Sequence, residues 1–172
     1  TRAGDADTTE AQYLEVITRK TAILFAAGCW GAARLHGRDE QTRQALHAFG
    51  LNLGIAFQMI DDVLDYEGDP AAMGKNVGDD LTEGKPTLPL IHTLRQGTAA
   101  EQNLVRHAIT AKTADGIDDV LAAVHRCGAL DYTRAEAQRY HDQALAQLAA
   151  LPDSAARTAL QQITELSINR DR

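Results

Sequence analysis

The chain has 172 residues, long enough for one domain with a substantial core. Its 17 basic and 24 acidic residues leave a formal charge of −7, which argues against a nucleic-acid binder built on an extended basic surface. The longest apolar run, Ala22 to Ala33, falls short of the roughly 20 residues that span a bilayer, so any lipid is expected as a ligand or at a peripheral surface.

From the N-terminus, Thr1 to Asp7 has no basic-then-apolar run, so no signal peptide is expected; without an initiator methionine the chain reads as a piece of something longer. The first helix is expected to begin near Thr8 or Thr9 and to run to about His36. Its apolar stripe is read as Leu14, Ile17, Thr21, Leu24, Phe25, Gly28 and Ala32. Thr8 forms no capping box, because Ala11 stands three positions on. Gly37 and Arg38 break that helix, and Asp39 caps a second and longer one, roughly Asp39 to Tyr66. Gly50 and Gly54, one turn apart, either admit a close neighbouring helix or are simply tolerated. Residues 67–86 are the most irregular segment, rich in glycine and charge, as binding loops tend to be. A short helix then starts at Thr87 with Pro89 in its first turn, followed by helices over about 99–112, 116–127, 130–150 and 153–169. No alternating strand pattern, repeat or low-complexity region interrupts them, so the fold class is all-α, a helical bundle. Cys29 and Cys127 show no metal-ligand spacing and read as small buried hydrophobes in a reduced, cytoplasmic setting.

The stretch Phe57-Gln58-Met59-Ile60-Asp61-Asp62-Val63-Leu64-Asp65 carries the chemistry. On a helix Asp61 and Asp65 share a face one turn apart, with Asp62 beside them and Gln58 one turn before. Like charges at that spacing repel, and desolvation beside a core adds to the cost unless a cation neutralises them. The simplest such cation is Mg²⁺, which takes one or two carboxylates and completes its shell with water and phosphate oxygens. Lys20 on the first helix, and Lys75 and Lys85 in the glycine-rich loop, are the candidate cationic partners.

Three segments together carry a specific resemblance. They are Lys20-Thr21, the Phe57–Asp65 stretch, and the loop Gly74-Lys75-Asn76-Val77-Gly78-Asp79-Asp80-Leu81-Thr82-Glu83-Gly84-Lys85-Pro86-Thr87-Leu88-Pro89-Leu90. The chain resembles the C-terminal half of the trans-polyprenyl (isoprenyl) diphosphate synthase family, and its loop is most similar to the long-chain, octaprenyl branch. The resemblance implies the C-terminal part of the isoprenoid synthase fold, with residues 1–172 forming part of a single synthase domain. It implies a prenyltransferase that ionises an allylic diphosphate and alkylates isopentenyl diphosphate, making an all-trans chain for a quinone side chain. It further implies Mg²⁺ on Asp61, with Asp65 contributing directly or through water and Asp62 orienting waters. Lys20 and Lys75 would contact the allylic diphosphate and Lys85 would complete the basic rim. Thr21 and Gln58 would turn oxygen dipoles toward the developing cation, and Phe57 would help exclude water. Asp79 and Asp80 would tie the loop down. A homodimer, no nucleic-acid partner, no transmembrane segment and peripheral membrane contact for product release complete the expectation.

The family's other aspartate-rich motif and its Arg/Lys/His set for isopentenyl diphosphate belong to the N-terminal half. Asp115 to Asp119 offers no substitute, reading as a turn and a solvated helix start. The chain is therefore expected to hold half of an active site and to be inactive alone. The competing readings are a non-catalytic diphosphate-binding subunit, a terpene cyclase on the same fold, and a helical bundle whose three aspartates face solvent.

Overall fold

A computed structural model of the chain describes residues 2–67 and 78–169. The described helices are α1 (Glu10–Ile17), a π-helical turn (Thr18–Ala22), α2 (Ile23–Leu35), α3 (Glu40–Glu67), α4 (Asp79–Thr82), α5 (Leu88–Gln96), α6 (Ala99–Ala111), α7 (Ile117–Arg126), α8 (Ala129–Leu148) and α9 (Ala155–Ile168). No strand occurs among the described residues, and the chain is all-α as its periodicity indicates.

Local signals account for several boundaries. Thr9, not Thr8, starts α1: its Oγ1 accepts the Gln12 N–H at 3.3 Å, and Gln12 Oε1 accepts the Thr9 N–H at 2.9 Å. This reciprocal capping box satisfies two donors that a helix start leaves unpaired. Asp39 caps α3 as expected, its Oδ1 accepting the Thr42 N–H at 2.7 Å. Thr98 and Glu101 form a second capping box at α6, and Ser154 caps α9. Pro89 sits in the first turn of α5, where its missing N–H does no harm.

The stripe expected on the first helix is corrected by the π-helical turn. The Ile23 N–H reaches the Thr18 carbonyl five residues back, so the turn holds an extra residue and everything beyond it is rotated by about 100°. Buried positions run Tyr13, Ile17, Ala22, Ala26 and Ala33, with a step of five across the turn. Leu24 is consequently 69% exposed, and Gly28 and Ala32 also face outward.

The chain forms two compact units, one from residues up to Leu14 together with Asp61–Arg134, the other from Glu15–Ile60 together with residues from Ala135. In the first, Val63, Tyr66, Leu81, Leu90, Val105, Ile109, Val120 and Val124 form one buried cluster. Arg134 pairs with Glu67, and Tyr132 donates to the Glu10 carboxylate. In the second, Phe49, Leu53, Ala144 and Leu148 are buried, with Phe25, Leu145, Leu151 and Leu160 packed against them. Ile163 and Leu166 of α9 are 53% and 70% exposed. The glycines of α3 admit a close neighbour here: a Cβ on Gly54 would fall 2.6 Å from Ala22 Cα, and one on Gly50 would fall 2.5 Å from the Phe25 carbonyl oxygen. Only glycine permits backbones to approach this closely.

Candidate functional site

The first unit holds the three aspartates. Asp62 and Asp65 are 3% and 7% exposed and Asp61 is half-buried. This burial counts against the reading in which all three face solvent. Buried carboxylates need hydrogen-bond donors, and the fold supplies them. The Tyr13 hydroxyl donates to Asp62 Oδ2 at 2.7 Å, and the Asp80 N–H donates to Asp65 Oδ2 at 3.2 Å. The Gly78 N–H donates to the Asp65 carbonyl at 3.0 Å, with Gly78 at φ +84°, a backbone state that favours glycine.

Residues 78–87 close on themselves at the same place. Lys85 Nζ donates to Asp80 Oδ1 at 2.6 Å and pairs with Glu83 Oε2 at 2.8 Å. Burial works against its charge, yet the two carboxylates outweigh burial and hold the ammonium well above the ordinary lysine range. These two pairs account for two of the three N–H donors of the ammonium. The Asp80 N–H therefore ties its segment to α3, while Lys85 is shared between the Asp80 and Glu83 carboxylates. Beside them Tyr66 and Thr87, both buried, exchange a hydrogen bond of 2.9 Å between their hydroxyls. Burial, and then the charge of Asp62, push the Tyr13 phenol well above its usual range, so it stays a donor.

Within the second unit, the Lys20-Thr21 pair lies in the π-helical turn. Thr21 Oγ1 donates to Gln58 Oε1 at 3.0 Å, which joins two of the expected site residues across 37 positions. The close approach at Gly54, one turn before Gln58 and against Ala22, brings them into range. Phe57 packs against Phe25, with ring centroids 5.7 Å apart. Lys20 is exposed, whereas Arg19 pairs with Glu15 at 2.7 Å. Lys75 and Gly74 lie outside the described residues.

All the acidic donors are carboxylate oxygens, a hard set suited to Mg²⁺ or Ca²⁺ rather than to a thiolate- or imidazole-seeking metal. Among the described residues no group of three or more His, Cys, Asp or Glu side chains forms a ready-made cage. Asp62 and Asp65 each accept a hydrogen bond from a protein donor. A pair of carboxylates on one helix face fits a hard divalent cation that takes one or two carboxylates and finishes its shell elsewhere. Tyr13 does not stand out in the apolar spacing, although a buried tyrosine hydroxyl nearly always needs a partner. That need is the signal that could have found it.

An all-α chain with a buried aspartate motif braced by a glycine-rich loop is the class that fold and geometry define. The family model described as polyprenyl synthetase matches residues 1–126, and the chain belongs to that family. It is 43% identical over 169 residues to octaprenyl diphosphate synthase of Escherichia coli (strain K12), covering 98% of this chain and 52% of that protein. It is also 43% identical over 164 residues to all-trans-nonaprenyl-diphosphate synthase (geranyl-diphosphate specific) of Rhodobacter capsulatus, covering 95% and 50% respectively. A solved polyprenyl synthase from Caulobacter crescentus CB15, complexed with calcium and isoprenyl diphosphate, superimposes with a TM-score of 0.93 at 38% identity, over 100% of this chain and 53% of that one. The chain thus spans about half the length of the curated relatives it matches. Among the described residues no helix is long and apolar enough to cross a membrane.

Proposed function

We propose that this chain is the C-terminal portion of one polyprenyl diphosphate synthase domain and supplies the diphosphate-holding side of a prenyl transfer. The substrates are an allylic diphosphate and isopentenyl diphosphate, and the product is a long all-trans polyprenyl diphosphate, octaprenyl by similarity to its relatives. The observation that carries this reading is the Thr21–Gln58 hydrogen bond, which joins two of the expected site residues in a chain of this family.

Ionising an allylic diphosphate places negative charge on the leaving group and positive charge on the allylic carbon. Preorganised charges and dipoles that match this separation lower the barrier. Mg²⁺ held by Asp61 and Asp65, when bound, would neutralise part of the leaving-group charge. Lys20, and Lys75 in the loop, bind the diphosphate oxygens. Gln58 and Thr21 turn their oxygens toward the allylic carbon, and Phe57 with Phe25 keeps water from it. Asp62 orients the shell of the cation. Lys85 contributes to diphosphate binding while anchoring the loop through Asp80. Assembly as a homodimer, a cytoplasmic location and peripheral membrane contact during product release belong to the same reading. The chain alone binds diphosphate without completing the condensation.

Calorimetry of inorganic pyrophosphate binding to this chain, with and without Mg²⁺, tests the reading. Binding should depend on the metal, and Asp61→Ala should weaken it at least about 100-fold, the upper range for loss of a group that supports a metal. Equal binding with and without Mg²⁺, or an unaffected Asp61→Ala variant, would overturn it.

A further inference from the structure

Tyr13 has no part in the chemistry described above, yet it makes the 2.7 Å hydrogen bond to the buried Asp62 carboxylate. Both residues are almost fully enclosed, at 4% and 3% exposure. In that setting a carboxylate oxygen stripped of its donor carries a desolvation cost and turns toward whatever donor remains. A phenol O–H to a carboxylate is a charge-assisted bond with a defined direction, so it fixes a rotamer as well as satisfying an atom. Asp65, on the same helix, is braced independently by the Asp80 N–H. Tyr13 and Asp80 therefore brace the motif through two different aspartates and from different segments of the chain.

We propose that Tyr13 is a positioning residue of the aspartate motif: its hydroxyl holds Asp62 Oδ2, so that the motif presents a divalent cation with one fixed arrangement of carboxylate oxygens. The inference rests on the reading of the motif as a cation and diphosphate site. Tyr13 touches neither cation nor substrate and acts through Asp62. A purely structural bond would tether α1 to α3 and influence melting alone.

The test is calorimetry of inorganic pyrophosphate binding over a Mg²⁺ series, with melting temperatures, for the wild-type chain, Tyr13→Phe, Asp62→Ala and the double variant. Tyr13→Phe should still melt cooperatively, raise the Mg²⁺ concentration needed for half-saturation about tenfold, and leave metal-free pyrophosphate binding unchanged. In the Asp62→Ala background the same substitution should have no further effect. Asp62→Asn, which keeps an acceptor for the Tyr13 hydroxyl, is a second variant that does not alter Tyr13. Its Mg²⁺ requirement should rise less than that of Asp62→Ala. An unchanged Mg²⁺ requirement in Tyr13→Phe, an equal additional loss in the double variant, or identical Asp62→Asn and Asp62→Ala responses each overturn the positioning role while leaving the cation site standing. A wild-type chain that binds pyrophosphate without regard to Mg²⁺ overturns the functional reading and this inference together.

Discussion

The aspartate cluster of the first unit and the Lys-Thr–Gln cluster of the second are built by different means. Asp62 and Asp65 are buried charges, and named donors, Tyr13 and the Asp80 N–H, brace them. Lys20, Thr21 and Gln58 are exposed or half-exposed, and one neutral hydrogen bond joins the last two. Their geometry comes from the backbone instead: a π-helical turn sets the direction, and Gly50 and Gly54 set the distance. Buried charge demands polar satisfaction because desolvation is costly, whereas exposed groups need only a rigid frame. The first cluster should therefore break when a polar atom is removed, and the second when an atom is added.

The largest expected effect is steric. Gly54→Ala places a methyl group 2.6 Å from Ala22 Cα. It should destabilise the chain by about 3 kcal/mol in denaturant melts, even after the helix-propensity gain of alanine. Gly28→Ala, with nothing within 4 Å of its added Cβ, should instead stabilise by about 0.5–1 kcal/mol. Equal outcomes for the two would dissolve the claim that close backbone approach sets the second cluster. Next comes Thr87→Val, which removes the partner of the buried Tyr66 hydroxyl beside the aspartates. A loss of about 1–2 kcal/mol is expected, and a neutral result would show that this polar layer tolerates deletion. The smallest effect concerns exposed charge. The Arg126 side chain, then the Thr98 hydroxyl and amide, hold the Glu101 carboxyl down from 4.5 to about 2. A depressed carboxyl stabilises above its unfolded value, so that contribution is present above pH 4.5 and is lost as pH falls toward 2. Glu101→Gln should flatten this acid limb of the melting curve slightly, as read by thermal melts between about pH 2 and 5.

Helices, their order and the motif residues were legible because amphipathic spacing, caps and glycines are local signals. Asp39 as a cap, Pro89 in a first turn and the late helices all stand where the spacing indicates. The aspartate motif was legible because three carboxylates in an apolar helix contradict their surroundings. The side of the first helix that is buried was not, since one extra residue in a turn leaves no mark in an alternation of apolar types. Leu24 at 69% exposure and Ala22 fully buried record that difference. Pairings across long separations were also hidden, Tyr13 with Asp62 and Thr21 with Gln58.

The sequence by itself determined the all-α class, the family and the place of the aspartate motif on its helix, because composition, periodicity and motif are properties of the chain alone. Tertiary structure alone decided how each of those residues is held. It buried Asp62 and Asp65, supplied their donors, shared Lys85 between Asp80 and Glu83, and turned Lys20 and Thr21 on a π-helical turn. The physical reason is that burial and hydrogen bonding depend on what folds against a residue, and here those partners lie up to 49 positions away.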